Sequence, residues 1–108
     1  MTDADGPVHF ITGATTGFGR SLALEALARG GRVAATARDP SRLDPKLAAG
    51  DRVLPLVLDV TDARQAGEAV AATLERWGRI DVLINNAGWG LLGAVEEVSD
   101  GEARAVFD

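Results

Sequence analysis

The sequence predicts an α/β fold, a doubly wound parallel sheet of about four strands with helices packed on its faces. Short apolar runs alternate with helix-forming runs along the 108 residues. The apolar runs are nearly continuous, which is typical of strands buried on both faces of a parallel sheet. A glycine-rich turn also joins the first apolar run to the first helix, the place where such sheets hold phosphate groups.

The predicted strands are short and rich in Val, Ile or Ala. They do not alternate apolar with polar residues, as a strand with one solvent-exposed face would. They cover residues 8–12, 33–37, 53–58 and 80–84. Because connections between parallel strands are right-handed, this alternation predicts a strand order of 3-2-1-4. The carboxyl ends of strands one and four then face each other where the order reverses, and a ligand crevice is expected there.

Each of the two main helices is expected to present one apolar stripe to the sheet. The first, over about residues 18–29, ends at Gly30-Gly31, where a left-handed backbone position is expected, and its stripe contains Leu22, Ala23, Ala26 and Leu27. The second begins at Thr61 or Asp62, either of which can cap it, and ends at Gly78. Its stripe contains Ala66, Val70, Leu74 and Trp77.

Two further capping signals lie outside these helices. Asp39-Pro40-Ser41 resembles an N-cap followed by proline at the first helical position, and predicts a short helical turn that ends near Leu43. Ser99 followed by Glu102 forms a capping box, which predicts another helix from about Asp100 to the end of the chain.

Composition excludes several classes of function. The chain has 11 basic and 16 acidic residues, a net charge of -5 and no basic stripe, which argues against a nucleic-acid partner. It has no cysteine, so neither disulfides nor thiolate metal sites are expected, and no metal site is predicted. The first seven residues are polar and acidic, and no apolar run approaches the ~20 residues that span a bilayer. We therefore expect one domain in a cytoplasmic protein without a membrane partner.

The most informative motif is the turn that follows the first strand, T-G-x-x-x-G-x-G over residues 12–19. Its glycines allow positive φ in a tight turn, close approach of a pyrophosphate to bare backbone, and close packing of helix on strand. The N–H groups that open the helix are then free to bind the phosphates. This arrangement predicts a Rossmann-type, dinucleotide-binding domain.

Together with Asp59 and the run Asn85-Asn86-Ala87-Gly88, this motif resembles the short-chain dehydrogenase/reductase family. The resemblance runs from residue 8 to residue 108. Sugar-nucleotide epimerase-like relatives favour a different glycine spacing, T-G-x-x-G-x-x-G. A protein of that kind is therefore a less favoured alternative. The alternative without a ligand is that the glycines and asparagines only form turns.

The resemblance implies a set of cofactor-binding residues. The diphosphate and adjacent ribose would contact the glycine-rich turn at Gly13, Thr15, Thr16, Phe18 and Gly19. Asp59 would accept a hydrogen bond from the adenine amino group and the Val60 backbone would bind the ring edge, although Asp59 could instead be a local cap. The cofactor ribose would lie against Asn86, Ala87 and Gly88, while Asn85 and Asn86 brace the sheet.

The choice of cofactor depends on the end of the second strand, where an acidic residue would bind the 2′-hydroxyl of NAD. Here the strand ends in Ala37 and is followed by Arg38, whose guanidinium can form a forked pair with a 2′-phosphate. NADP is therefore predicted over NAD, with a solvated surface arginine as the alternative. Asp39 would repel the 2′-phosphate unless its side chain turns away to cap the turn at Pro40.

No catalytic residue is predicted within these 108 residues. Members of the family protonate the carbonyl oxygen with a tyrosine paired with a lysine, and this chain has no tyrosine and only one lysine, Lys46. The resemblance implies an alcohol/carbonyl substrate, catalytic residues beyond Asp108, and a homo-oligomer in the full-length form, with the chain alone inactive. Trp89, Leu91 and Leu92 would border the substrate cleft. The alternative is a non-catalytic dinucleotide-binding module or regulatory partner.

Overall fold

The computed structural model describes residues 6–86, which form a four-stranded sheet with two helices. In chain order the elements are β1 (Val8–Ile11), α1 (Gly17–Ala28), β2 (Arg32–Ala37), β3 (Val53–Val57), α2 (Ala63–Trp77) and β4 (Val82–Ile84). Two single 3-10 turns, Pro40–Arg42 and Pro45–Leu47, lie between β2 and β3. Predictions made at Ala87, Gly88, Trp89, Leu91, Leu92, Ser99, Asp100 and Glu102 lie outside the described residues.

All strand pairs are parallel and their order is β3-β2-β1-β4, as predicted. At the centre of the sheet, Phe10 of β1 pairs with Ala34 of β2 on one side and Leu83 of β4 on the other. Since the order reverses at β1, the turns that follow β1 and β4 meet at the same edge of the sheet.

The sheet separates two apolar clusters, one under each helix. Phe10 belongs to the cluster on the α2 side, and its neighbour Ile11 belongs to the cluster on the α1 side, because successive side chains of a strand point to opposite faces. Both side chains are fully buried. The continuous apolar runs of β1 and β2 therefore reflect burial on both faces, as predicted.

The two outer strands of this sheet are less buried than the prediction of four buried strands required. Val57 at the end of β3 is 55% exposed and Val82 at the start of β4 is 37% exposed. β4 also begins at residue 82 instead of residue 80, since Ile80 and Asp81 belong to its connection from α2. An outer strand has a neighbour on one side only. The predicted order already places β3 and β4 outermost, but their apolar sequences do not show how much of their surface stays exposed.

The helix ends follow the expected backbone chemistry. Gly30, just after α1, has φ 87°, and Gly78 caps α2 with φ 74°, both in the left-handed region that glycine tolerates. At the start of α2, the Asp62 side chain accepts hydrogen bonds from the N–H groups of Arg64 and Gln65. Asp62 is therefore the N-cap, and Thr61 is not. None of the helices within residues 6–86 is long and apolar enough to cross a bilayer.

The buried face of α2 is wider than the predicted stripe. Ala66 and Val70 are buried as expected, and Ala69 and Thr73 join them. Leu74 and Trp77 are only partly buried, at the margin of the cluster on that side of the sheet.

The turn predicted at Pro40 is present, and a second one follows it. Asp39 Oδ1 accepts from the Ser41 N–H at 3.1 Å and from the Ser41 hydroxyl at 2.6 Å, which confirms its capping role. Asp44 caps the next turn in the same way, accepting from the Lys46 N–H at 3.0 Å. The sequence repeats Asp-Pro at both positions, so the second turn carries the same local signal as the first.

Candidate cofactor-binding cleft

The turn between β1 and α1 is shaped by two glycines with positive φ, Gly13 at 62° and Gly17 at 57°. The Ala14 N–H donates to the Thr36 carbonyl at 3.1 Å, which fastens the turn to β2. A residue with a Cβ would be strained at either glycine because this backbone region favours glycine. The turn therefore holds its backbone open at the carboxyl edge of the sheet.

The start of α1 has unpaired backbone donors. Thr16, its N-cap residue, makes no side-chain capping bond, and the first turn contains no acidic residue. The N–H groups and the positive end of the helix dipole are therefore not neutralised locally. Such an end stabilises an anion, and a phosphate is the ligand that it fits best.

Gly19 brings the first turn of α1 against the glycine-rich turn. A Cβ at this position would lie 2.3 Å from the Gly13 carbonyl oxygen and 2.8 Å from Asn86 Nδ2. Both distances are shorter than a carbon side chain allows. Gly19 is thus required for close packing, as the motif predicted.

The end of β4 is joined to the end of β1 by a buried hydroxyl. Thr12 Oγ1 accepts from the Asn86 N–H at 2.8 Å and donates to Asn85 Oδ1 at 3.4 Å. Asn86 Nδ2 donates to the Gly13 carbonyl at 3.4 Å. The two asparagines therefore brace the sheet edge, and Asn86 also contacts the turn where a phosphate would bind.

A cleft of about 520 Å³ lies along this edge of the sheet, from the glycine-rich turn past β2 to β3. Its lining residues are Gly13, Thr15, Thr16, Ala37, Arg38, Asp39, Arg42, Leu58, Asp59, Val60, Thr61 and Asn86. The lining combines the backbone of the glycine-rich turn with two arginines, two aspartates and the apolar residues Ala37, Leu58 and Val60. It is suited to an elongated ligand with phosphate groups and a planar ring.

Asp59 lies at the β3 end of the cleft in a turn that fixes its orientation. Its Oδ1 accepts from the Thr61 N–H at 2.9 Å and from the Thr61 hydroxyl at 2.7 Å. These hydrogen bonds lower the pKa of the carboxyl group below its usual value, and the positive charge of Arg38 lowers it further. Asp59 is thus an ionised acceptor near neutral pH, and it is not the cap of α2.

Asp39 forms the matching turn at the end of β2, with Ser41 in the place of Thr61. The hydrogen bonds from Ser41 lower the pKa of its carboxyl group, and Arg42 contributes a smaller effect of the same sign. Although its carboxylate caps the turn, Asp39 still lines the cleft. Its negative charge therefore remains part of the site.

The structure brings together seven of the predicted cofactor residues along the cleft. They are Gly13, Thr15, Thr16, Arg38, Asp59, Val60 and Asn86. Gly19 is buried behind the turn, and Phe18 is 70% exposed and outside the lining. Ala87 and Gly88 are not among the described residues.

Sequence reasoning missed Arg42, which lines the cleft beside Asp39. The signal that could have found it is the turn at Pro40, since a capped 3-10 turn returns the chain toward its start within three residues. Over residues 6–86, no group of three or more His, Asp or Glu side chains is arranged to hold a metal ion.

Comparison with known proteins decides the family, because residues 7–108 match the short chain dehydrogenase family. The chain belongs to the short-chain dehydrogenase/reductase family. A curated relative, oxidoreductase BOA17 of Botryotinia fuckeliana, is 45% identical over 93 residues, covering 84% of this chain and 34% of that protein. The fold and the glycine-rich turn described above are thus those of an oxidoreductase family.

Solved short-chain dehydrogenase structures agree with this assignment. One from Streptomyces avermitilis is 46% identical with a TM-score of 0.72, covering 78% of this chain and 31% of its own. The F189W actinorhodin polyketide ketoreductase with NADPH is 35% identical with a TM-score of 0.70, covering 82% and 36%. A 3-ketoacyl-(acyl-carrier-protein) reductase from Brucella melitensis complexed with NADH is 31% identical with a TM-score of 0.65, covering 74% and 34%. Two of these three structures therefore contain nicotinamide cofactors, NADPH in one and NADH in the other.

The chain spans only part of the length of its relatives. It covers 34%, 46% and 34% of the first three curated proteins that it matches.

Proposed function

We propose that this chain supplies the cofactor-binding part of an NADP-dependent oxidoreductase, which transfers a hydride between the nicotinamide and an alcohol/carbonyl substrate. The observation that carries the proposal is the cleft itself. It joins the open N-terminus of α1 to Arg38, and the last residue of β2 is Ala37, which has no carboxylate. NADP supplies the hydride chemistry when bound, and the residues of this chain hold and orient it.

The pyrophosphate would bind at the glycine-rich turn, where the positive φ of Gly13 and the uncapped helix start leave backbone N–H groups available. Thr15 and Thr16 line the cleft at that point and supply hydroxyl donors. The diphosphate is the part of the cofactor common to NAD and NADP. This end of the site therefore supplies affinity without choosing between them.

The adenine ring would lie at the β3 end of the cleft, against Leu58 and Val60. Asp59, held by Thr61 and ionised, would accept a hydrogen bond from the adenine amino group through its remaining oxygen. Asn86, Ala87 and Gly88 would contact the cofactor ribose, as the likeness to the family implies.

The 2′-phosphate would bind Arg38. A guanidinium forms forked, charge-assisted hydrogen bonds with a phosphate, whereas the neutral 2′-hydroxyl of NAD gains little from it. The capping bonds of Asp39 support this choice, because they engage its Oδ1 with the Ser41 N–H and hydroxyl. The proton donor for the developing alkoxide is not proposed within this chain, since its 108 residues contain no tyrosine.

Cofactor titrations of an Arg38→Ala variant test the proposal. Loss of a charge-assisted pair weakens binding by roughly 10- to 100-fold, so the Kd for NADPH should rise by that factor while the Kd for NADH changes little. Arg64→Ala is the matched control, since it removes the same charge from an exposed site on α2 outside the cleft. Similar losses for NADPH and NADH in Arg38→Ala would contradict the assignment of NADP.

A further inference from the structure

The arginines of the described chain divide into two groups by what their guanidinium groups contact. Seven of the nine within residues 6–86 donate a hydrogen bond to a carboxylate or a main-chain carbonyl: Arg20, Arg29, Arg32, Arg52, Arg64, Arg76 and Arg79. The two whose side chains form no such bond in that part of the chain are Arg38 and Arg42. Both line the cleft. A guanidinium that has carboxylates within its electrostatic range and yet bonds to none of them is available to an anionic ligand.

Arg42 is held in place by the segment that carries it. Its N–H donates to the Asp39 carbonyl at 3.1 Å, which closes the capped turn. The next residue, Leu43, is only 6% exposed and Leu47 is fully buried, and both pack into the cluster beneath α1. The backbone of Arg42 therefore lies between a capped turn and an apolar anchor, and only its side chain is free to move.

A long-range ion pair fixes the same segment to the first helix. Asp44, which caps the second turn, accepts from Arg20 of α1 at 2.8 Å and its side chain is 16% exposed. Arg20 is in the first turns of the helix whose N-terminus faces the cleft. The position of Arg42 is thus set relative to the proposed phosphate site before any ligand binds, which lowers the entropy cost of binding.

The charges at this end of the cleft explain why one arginine would not suffice. A phosphate monoester carries a charge of about −1.5 to −2 near neutral pH. Arg38 interacts electrostatically with the Asp59 carboxylate, which partly offsets its positive charge. The Asp39 carboxylate adds a negative charge to the cleft lining. Arg42 lies close enough to Asp39 to offset that charge.

We propose that Arg42 is a second, specificity-determining ligand of the NADP 2′-phosphate, which it binds together with Arg38 while it screens Asp39. The inference rests on the proposed function, since it concerns the same cleft. NAD has a hydroxyl group in place of this phosphate, so Arg42 should matter for one cofactor and not for the other.

The test is a set of isothermal titrations of the chain with NADPH and with NADH. Arg42→Ala should raise the Kd for NADPH about tenfold and change that for NADH by less than about twofold, while Arg42→Lys, which keeps the charge without the fork, should fall between. Lys46→Ala is the matched control, because Lys46 is an exposed cation on the same segment that does not line the cleft. The thermal unfolding midpoint of each variant checks that the segment stays folded.

The outcomes distinguish a failure of the proposed role of Arg42 from a failure of the proposed NADP specificity. If the unmodified chain binds NADH at least as tightly as NADPH, the proposed cofactor is wrong and this inference falls with it. If Arg38→Ala lowers NADPH affinity and Arg42→Ala does not, only the role of Arg42 is overturned. An equal loss in Arg42→Ala and Lys46→Ala would also overturn it, since the effect would then be general electrostatics.

Discussion

Single buried hydroxyl groups determine how the cleft is held together. Thr12 is fully buried at the end of β1, and its hydroxyl satisfies the Asn86 N–H across 74 residues of sequence. Thr36 is buried beside it and donates to the Ile11 carbonyl at 2.9 Å. Buried polar groups are tolerated only when they are paired, so these residues are specified by their partners.

Thr12→Val should destabilise the protein by about 1–3 kcal/mol, because a valine of similar shape leaves the Asn86 N–H without its acceptor. Thr73→Val is the control. Thr73 is also fully buried, but its hydroxyl donates to the Ala69 carbonyl of its own helix, and its removal leaves no N–H unpaired. Urea unfolding of both variants measures the difference.

The same pair should differ in cofactor binding. Thr12→Val releases Asn86 from the sheet edge and is expected to weaken NADPH and NADH binding together, since the affected turn contacts the part that they share. Equal free energies of unfolding for the two variants would show that the Thr12 hydroxyl contributes nothing beyond its burial.

At the scale of the element, the site depends on how closely α1 approaches the turn before it. The contact is made by Gly19 against the Gly13 carbonyl, and no side chain fits between them. A helix held further out would move its N–H groups away from the cleft. Glycine is therefore required at position 19 by the packing of α1 against the preceding turn. The backbone conformation of the turn alone would not require it.

Gly19→Ala should therefore cost about 1–3 kcal/mol from overpacking against backbone and should abolish measurable binding of either cofactor. Gly78→Ala is the control, since its Cβ would meet nothing within 4 Å and only the positive φ is unfavourable. That strain costs about 1–2 kcal/mol. Chemical denaturation and NADPH titration together distinguish the variants, and retention of NADPH affinity in Gly19→Ala would refute the packing argument.

At the scale of the whole molecule, one carboxylate links β1 to β4 at the amino ends of the strands, on the side of the sheet opposite the cleft. Asp81, just before β4, accepts from the Val8 N–H at 2.8 Å, and its own N–H donates to the Val8 carbonyl at 2.8 Å. Arg79 donates to its other oxygen. The start of β1 is in this way tied to the entry of β4.

The acid sensitivity of the fold should depend on this contact. Partial burial raises the pKa of Asp81, but the hydrogen bonds from Arg79 and Val8, with the charge of Arg32, outweigh it, so the pKa lies below its ordinary value. A carboxyl group whose pKa is lowered in the folded state adds stability above its unfolded pKa, and this contribution is lost as the pH falls through the folded pKa.

Asp81→Asn is therefore expected to lower stability by about 1 kcal/mol at pH 7 and to have a progressively smaller effect below about pH 4. Asp51→Asn serves as the control, since the Asp51 side chain is exposed and makes no hydrogen bond within the described chain. Thermal unfolding from pH 3 to pH 7 measures both, and a pH-independent difference between Asp81→Asn and the unmodified chain would exclude this role for the carboxylate.

Much of this architecture follows from the sequence by itself, because its causes act within a few residues. Gly30 and Gly78 end their helices through backbone freedom, Asp39 caps its turn through the residue two positions on, and unbroken apolar runs indicate β1 and β2. The order of the strands follows from their alternation with helices and the handedness of their connections.

Only the tertiary structure decided which side chains line the cleft and how deeply individual residues are buried. The sequence analysis allowed Thr61 or Asp62 to cap α2, counted Phe18 as a cofactor residue although it lies outside the cleft lining, and did not name Arg42. The exposure of Val57 likewise depends on how much of the outer strand β3 is covered by the rest of the protein. The cleft lining and the exposure of Val57 are set by packing between residues that are distant in the chain, and the amount of surface that such packing buries is not contained in any local pattern.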